Sequence, residues 1–390
     1  MRRHRLTGLI LSALLTVAAA SAAAQTSAPA AQGGTPAPAA KAADTIPNFF
    51  RDIQANAFLS LGYIYNLNNP VGNVNGLRIF DGVANSFSVD VAELVLQKPV
   101  ANPGDAGFRV DLEAGSAIPG KEQSAGLSIG TGADLQQAFV SYIAPIGSGV
   151  RFDAGKFVTH LGLELIEGYD GYNDNYSRSL LFNYAIPLTH TGVKGSYTIN
   201  SKASAMLMVV NGWDNAVDNN KSKSVGAQLA LTPVAPLSVY LNYMGGPEQT
   251  NNNSANRQIF DAVAVWKATD AVTLSLNGDY GTEAGASTVT AGKDAVWKGI
   301  AGYGKLAVNS NVSLALRGET FKDEGGTRLG LGNATASEIT FTPAYQFTKT
   351  FLVRAEGRYD TVNQDGAFVD DKGAAKRSQS TIGLNAIFVF

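Results

Sequence analysis

The strongest constraint on this chain is an alternation of apolar and polar residues with period two, in segments of about ten residues recurring along most of its length. In 272–280, Val272, Leu274, Leu276, Gly278 and Tyr280 share one face, while Thr273, Ser275, Asn277 and Asp279 share the other. In 351–360, Phe351, Val353, Ala355, Gly357 and Tyr359 oppose Leu352, Arg354, Glu356, Arg358 and Asp360. Segment 108–114 sets Phe108, Val110, Leu112 and Ala114 against Arg109, Asp111 and Glu113. Successive side chains of an extended chain point to opposite faces, so the pattern specifies strands with one apolar and one polar surface. A soluble antiparallel sandwich shows the same alternation.

Three further features separate the two architectures. The segments are about 9–11 residues long, the length of a tilted strand crossing a hydrocarbon layer. About sixteen of them are readable: 58–65, 87–97, 107–115, 134–144, 150–158, 191–199, 203–212, 223–232, 237–244, 257–267, 272–280, 296–307, 311–321, 336–347, 351–361 and 378–390. Their connections alternate between short turns, such as 200–202, 233–236 and 348–350, and long polar loops, such as 66–86, 116–133, 159–190 and 362–377. Outer-membrane barrels have this asymmetry, and a sandwich has no reason for it. Aromatic residues then fall into two belts: Tyr63, Tyr243, Tyr280, Phe321 and Tyr359 at the long-loop ends, Tyr142, Trp266, Phe347, Phe351 and Phe388 at the short-turn ends. A sheet edge in lipid would leave backbone groups unpaired at several kcal/mol each, so the strands must close on themselves. The expected fold is all-β: a transmembrane antiparallel up-and-down β-barrel of about sixteen strands, wide enough for a wet lumen. In 87–97 the apolar phase changes, and a bulge near Ala92-Glu93 is expected there.

The first residues argue for export. Met1 to Arg5 is basic, Leu6 to Ala20 is apolar but short, and Ala22-Ala23-Ala24 offers a cleavage site before Gln25. The expected organisation is a signal peptide at 1–24, an Ala/Pro-rich disordered leader at 25–54 and a barrel at 55–390. Composition agrees: 42 glycines suit many turns, and no cysteine excludes disulfides and thiolate metal sites. A formal charge of −2 argues against nucleic acid, which needs a basic footprint.

Chemistry is sparse. After processing only His160 and His190 remain, flanking the longest loop. They are a candidate metal pair or base with partner, but local hydrogen bonding at the lumen wall is favoured because no third ligand or positioned nucleophile is evident. No catalytic, cofactor or metal residues are assigned. The charged phase of the strands supplies the pore-lining candidates Arg109, Asp111, Glu113, Arg151, Asp153, Arg317, Glu319, Arg354, Glu356 and Arg358, with Lys156 and Lys194 in the same set. On the lipid face an Arg or Lys at mid-membrane costs roughly 2–4 kcal/mol, so their shared phase supports a water-filled interior. Mixed signs predict little ion selectivity. Segment 159–190 combines Glu164, Glu167, Asp170, Asp174 and Arg178 with several aromatics, too many for a merely disordered loop. These five are constriction-loop candidates if the segment folds into the lumen; a loop packed over the outer rim is the alternative.

Gly155-Lys156-Phe157, then Gly162 and Glu164, then Asn175-Tyr176-Ser177-Arg178-Ser179, and Pro187-Leu188-Thr189-His190-Thr191-Gly192 resemble the putative β-barrel porin-2, OmpL-like family. The resemblance covers roughly 55–390 and implies an outer-membrane porin-type barrel, with no catalytic residues to carry over. Thr381 to Phe390 also looks like the C-terminal signal read by barrel-assembly machinery.

The expected function is a porin: passive diffusion of small hydrophilic solutes or ions through the bacterial outer membrane. The alternatives are an outer-membrane barrel hydrolase, or a structural or adhesin barrel with a plugged lumen. Expected partners are outer-membrane lipid, the assembly machinery and the solutes. A homotrimer is expected only by analogy with other porins.

Overall fold

The computed structural model describes residues 52–119, 128–130 and 132–390. The expected signal peptide and nearly all of the leader lie outside the described residues.

Sixteen long strands follow one another: β1 (Gln54–Asn66), β2 (Ser86–Lys98), β3 (Ala106–Ala114), β4 (Ala133–Ala144), β5 (Val150–Val158), β6 (Thr189–Asn200), β7 (Ala203–Val210) and β8 (Ser224–Val234). The second half is β9 (Leu237–Pro247), β10 (Asn256–Lys267), β11 (Val272–Glu283), β12 (Ala295–Ala307), β13 (Val312–Asp323), β14 (Ala334–Gln346), β15 (Phe351–Val362) and β16 (Ser378–Val389). Each pairs antiparallel with the next. The ring closes where β1 pairs with β16, from Phe58 opposite Val389 to Asn66 opposite Thr381. Ala57 and Phe390 extend it by exchanging backbone hydrogen bonds of 2.6 and 3.0 Å. Closure leaves no sheet edge whose N–H and C=O groups would face lipid. The structure is thus a closed sixteen-strand antiparallel barrel, as the alternation and connection rhythm require.

The two faces are sorted by phase. On β13, Arg317, Glu319 and Phe321 point inward and are buried, while Leu316 is half exposed on the outside. On β15, Arg354, Glu356, Arg358 and Asp360 are inward, and Phe351, Val353, Gly357 and Tyr359 outward. Phe321 therefore corrects the aromatic assignment: it shares the phase of Arg317 and packs inside. Near the short turns, Tyr345, Phe347, Phe351, Phe388 and Phe390 form a continuous run of ring contacts. Near the long loops, Tyr63 contacts Phe87 and Tyr243 contacts Phe260.

Two irregularities re-aim side chains. In β2 the alternation changes phase between Asp90 and Glu93, with Asp90 and its neighbour Val91 both buried. In β4 the pairing with β3 slips beside Gln136, so that Gln136 and Gln137 are both buried. The slip in β4 is a bulge, which inserts one unpaired residue and turns the strand locally. Gly155 of β5 has φ +140°, and a Cβ there would lie 2.1 Å from the Ala138 carbonyl oxygen. Its neighbour Lys156 is buried, its Nζ donating to Asp134 Oδ2 and to the Leu135 carbonyl, both at 2.8 Å. The Gly-Lys-Phe signature thus makes a close strand approach and a buried ion pair rather than a solvated lumen charge.

Candidate functional site

The segment between β5 and β6 leaves the ladder at Thr159 and crosses the interior of the barrel. Three features release it from the strand: Gly162 at φ +87°, a five-residue π-helical turn at Leu181–Ala185, and Pro187 before the next strand. Proline cannot donate to a ladder, and glycine adopts the left-handed turn without a Cβ penalty. One end of the segment is held by β10, where Gly162 N–H donates to Asp261 Oδ1 at 3.1 Å. Further along, the Tyr176 hydroxyl donates to Asp90 Oδ2 of β2 at 2.8 Å. Strands β2 and β10 are half a ring apart, so the segment spans the lumen.

Its main seat is a ladder of buried arginines and glutamates on β13, β14 and β15. Arg317 donates to Glu164 at 2.7 Å, to Glu338 at 2.8 Å and to the Ser177 carbonyl at 2.7 Å. Arg354 makes a two-pronged contact with Glu167, at 2.7 and 2.9 Å. Arg358 donates to Asp360 at 2.7 Å, to Ser177 Oγ at 3.0 Å and to the Arg178 carbonyl at 2.6 Å. Between the arginines the acids accept from the segment's backbone: Glu319 from Leu180 and Leu181 N–H, Glu356 from Tyr176 and Ser177 N–H. Charges buried this deeply are tolerable only because each ion also has hydrogen bonds. Apolar side chains seal the long-loop side: Leu181, Phe182 and Ile186 pack in one core with Trp297 and Phe321, and Trp297 Nε1 donates to the Ala185 carbonyl at 3.0 Å.

The ten strand residues expected from sequence all belong to the inward phase, but in different environments. Arg317, Glu319, Arg354, Glu356 and Arg358 hold the crossing segment. Asp111, Glu113 and Asp153 are buried; Asp111 takes Arg109 and Gln137, and Asp153 takes Arg151 and Ser141. Arg151 keeps a side-chain exposure of 43%, Arg109 of 14%. Of the five loop residues, Glu164, Glu167 and Arg178 are buried on the seat, whereas Asp170 and Asp174 stay about half exposed. Asp170 meets Arg109 at 2.7 Å, and Asp174 meets Lys305 of β12 at 2.6 Å. Lys194, over the Phe157 ring at 4.5 Å, is partly exposed on the same side as Arg151. The exposed edge of the segment is therefore acidic, and each of its two acids is ion-paired to a strand cation.

Several contributors carried no periodic signal in the sequence. The 67–85 loop also turns inward, where Arg78 donates to Asp360 at 2.6 Å and Phe80 packs on Phe182. Asp214, after β7, accepts from Leu188 and Thr189 N–H. The histidines bond locally: His190 Nδ1 lies 3.1 Å from the Gly212 carbonyl and Nε2 3.0 Å from Thr159 Oγ1, and His160 Nε2 lies 3.3 Å from the Tyr243 carbonyl. Their ring centres are 6.4 Å apart.

Comparison with known proteins agrees with this architecture. No curated protein sequence matches the chain. Among solved structures it is similar to the outer membrane channel DcaP of Acinetobacter baumannii (10% identity, covering 87% of this chain and 97% of that one, TM-score 0.60). It is similar to an anion-selective porin from Comamonas acidovorans (12% identity, 87% and 99% covered, TM-score 0.56). It is also similar to OmpT of Vibrio cholerae in a trimer form (13% identity, 87% and 99% covered, TM-score 0.54). At such identities the likeness concerns the fold. The family model described as putative beta-barrel porin-2, OmpL-like, matches residues 52–390. The chain belongs to that family of outer-membrane porins.

Proposed function

We propose that the protein is a passive channel for small hydrophilic solutes or ions, without covalent chemistry, and that segment 159–188 is its constriction. The observation that carries this reading is the crossing segment itself, buried along one side on Arg317, Arg354 and Arg358 and exposed along the other through Asp170 and Asp174. A sixteen-strand ring is wide enough for an aqueous channel. Its interior is narrowed where the segment crosses, and the remaining passage runs past the partly exposed ion pairs Asp170–Arg109 and Asp174–Lys305 and past Arg151 and Lys194. Paired charges of both signs along the passage favour hydrated, polar solutes and give modest ion selectivity.

The reading extends to processing and assembly. Residues 1–24 act as a cleaved signal peptide, 25–54 as a periplasmic leader, and the strand ending at Phe390 as the element read by the assembly machinery. A homotrimer fits the trimer form named for OmpT.

Planar-bilayer recording of the refolded full chain tests the reading. Reproducible conductance steps with a small reversal potential in a salt gradient are expected. Barrels that insert, as judged by heat-modifiable gel migration, yet stay electrically silent would overturn it.

A further inference from the structure

Lys298 of β12 and Lys322 of β13 lie directly opposite each other on the outer face of the barrel. Their side chains are 49% and 43% exposed. Like charges opposite each other on one sheet face repel, so the pair calls for an anion. One carboxylate serves both: Glu324 lies 3.0 Å from Lys298 Nζ and 2.9 Å from Lys322 Nζ. Hydrogen bonds from Lys322 and then Lys298 hold its carboxyl below the usual range. Two ammonium groups against one carboxylate leave one positive charge uncompensated.

The surroundings indicate the height of the patch. Lys298 is paired on its other side with Tyr280, an outward aromatic of the long-loop girdle. Toward the membrane centre, the outward hydroxyls of Thr320 and Ser337 bond to each other at 3.1 Å. Beyond them the wall is apolar, with Ile300, Leu316 and Ile339 each about half exposed. Among the described strands, no other outward residue in the long-loop half is both charged and exposed. Cations at this height meet headgroups, and a cationic cluster beside the bilayer attracts anionic ones.

We propose that Lys298 and Lys322, with Thr320 and Ser337 beside them, bind the phosphate of an outer-leaflet lipid headgroup. The inference rests on the outer-membrane barrel reading. A soluble phosphate would share the chemistry at the lysines but would have no use for the apolar wall of Ile300, Leu316 and Ile339, which suits acyl chains.

The test is native mass spectrometry of the refolded full chain in detergent, with three probes: bis-phosphorylated lipid A, its dephosphorylated form and inorganic phosphate. The phosphorylated lipid should be retained about tenfold more strongly than the dephosphorylated one. K298Q/K322Q should lose that preference, K298R/K322R should keep it, and K202Q, at a short turn, should leave it unchanged. Equal retention of both lipids, or an undiminished preference in K298Q/K322Q, overturns the proposal. So does displacement of the lipid by inorganic phosphate at matched concentration, which would make this a soluble-anion site. Heat-modifiable migration checks each variant, with single K298Q and K322Q as substitutes if the double does not fold. A wild-type chain that forms no heat-modifiable barrel would instead defeat the barrel reading.

Discussion

At the scale of single residues, the interior is governed by what buried charges require. Arg317 is fully enclosed between Glu164, Glu338 and the Ser177 carbonyl, so Arg317→Met leaves Glu164 without its cation and Glu338 with only Arg358, 3.6 Å away. Removing one partner of a buried pair typically costs about 3–5 kcal/mol. The expected outcome is a lower urea midpoint for the refolded barrel, together with noisier or larger conductance as the crossing segment loosens. Asp279 is the reverse case. It sits on β11 opposite Asp261 of β10, is buried, and accepts from no N–H group or hydroxyl, so that it faces only another carboxyl. An unsatisfied buried polar group costs roughly 1–3 kcal/mol, so Asp279→Asn should raise the unfolding midpoint. A lowered midpoint would show that the carboxylate is needed. The period-two phase of both residues was legible in the sequence, because orientation along a strand is local. Their partners were not, because Glu164 lies 153 residues from Arg317.

At the scale of elements, the crossing segment and the outer hairpin make separable predictions. Deleting 164–178 removes Glu164 and Glu167 from the arginine ladder and the acidic edge from the passage. Single-channel conductance should rise several-fold while heat-modifiable migration is kept. Unchanged conductance would place the constriction elsewhere. In the 363–377 loop, the short strands at 368–369 and 375–376 pair, and Asp370 caps the turn between them. Hydrogen bonds from Lys376 and from the Ala374 and Lys372 amides hold its carboxyl at about 2. A carboxyl depressed in the folded state stabilises it above the ordinary carboxylate range, and the benefit is lost as pH falls through about 2. Exchange protection of the Ala374 amide should therefore decline between about pH 4 and pH 2, and Asp370→Asn should abolish the pH dependence. The strands themselves were readable to within a few residues, since periodicity marks each one. The segment at 159–190 was recognisable as unusual from its length and mixed composition, but its inward course depends on seats supplied by strands from β2 to β15.

At the scale of the molecule, the decisive contact is the seam between β1 and β16. Removing residues 387–390 deletes the pairs from Phe58 to Ser60 and the Ala57–Phe390 exchange, leaving backbone groups of β1 unpaired at several kcal/mol each in lipid. The truncated chain should lose its heat-modifiable band; a normal band would mean that the seam tolerates a shorter final strand. By itself the sequence determined the strands, their two faces, the short and long connections and hence a closed barrel, because alternation and lipid exclusion act on each strand and its neighbours. Only the tertiary structure decided which inward charges remain exposed and which are buried under the crossing segment. It also decided that Phe321 belongs to the interior core and Lys156 to a buried ion pair. The physical reason is that period two records only which side of the sheet a residue occupies. Whether water, a carboxylate or a folded-in segment meets it there depends on parts of the chain brought together by closure.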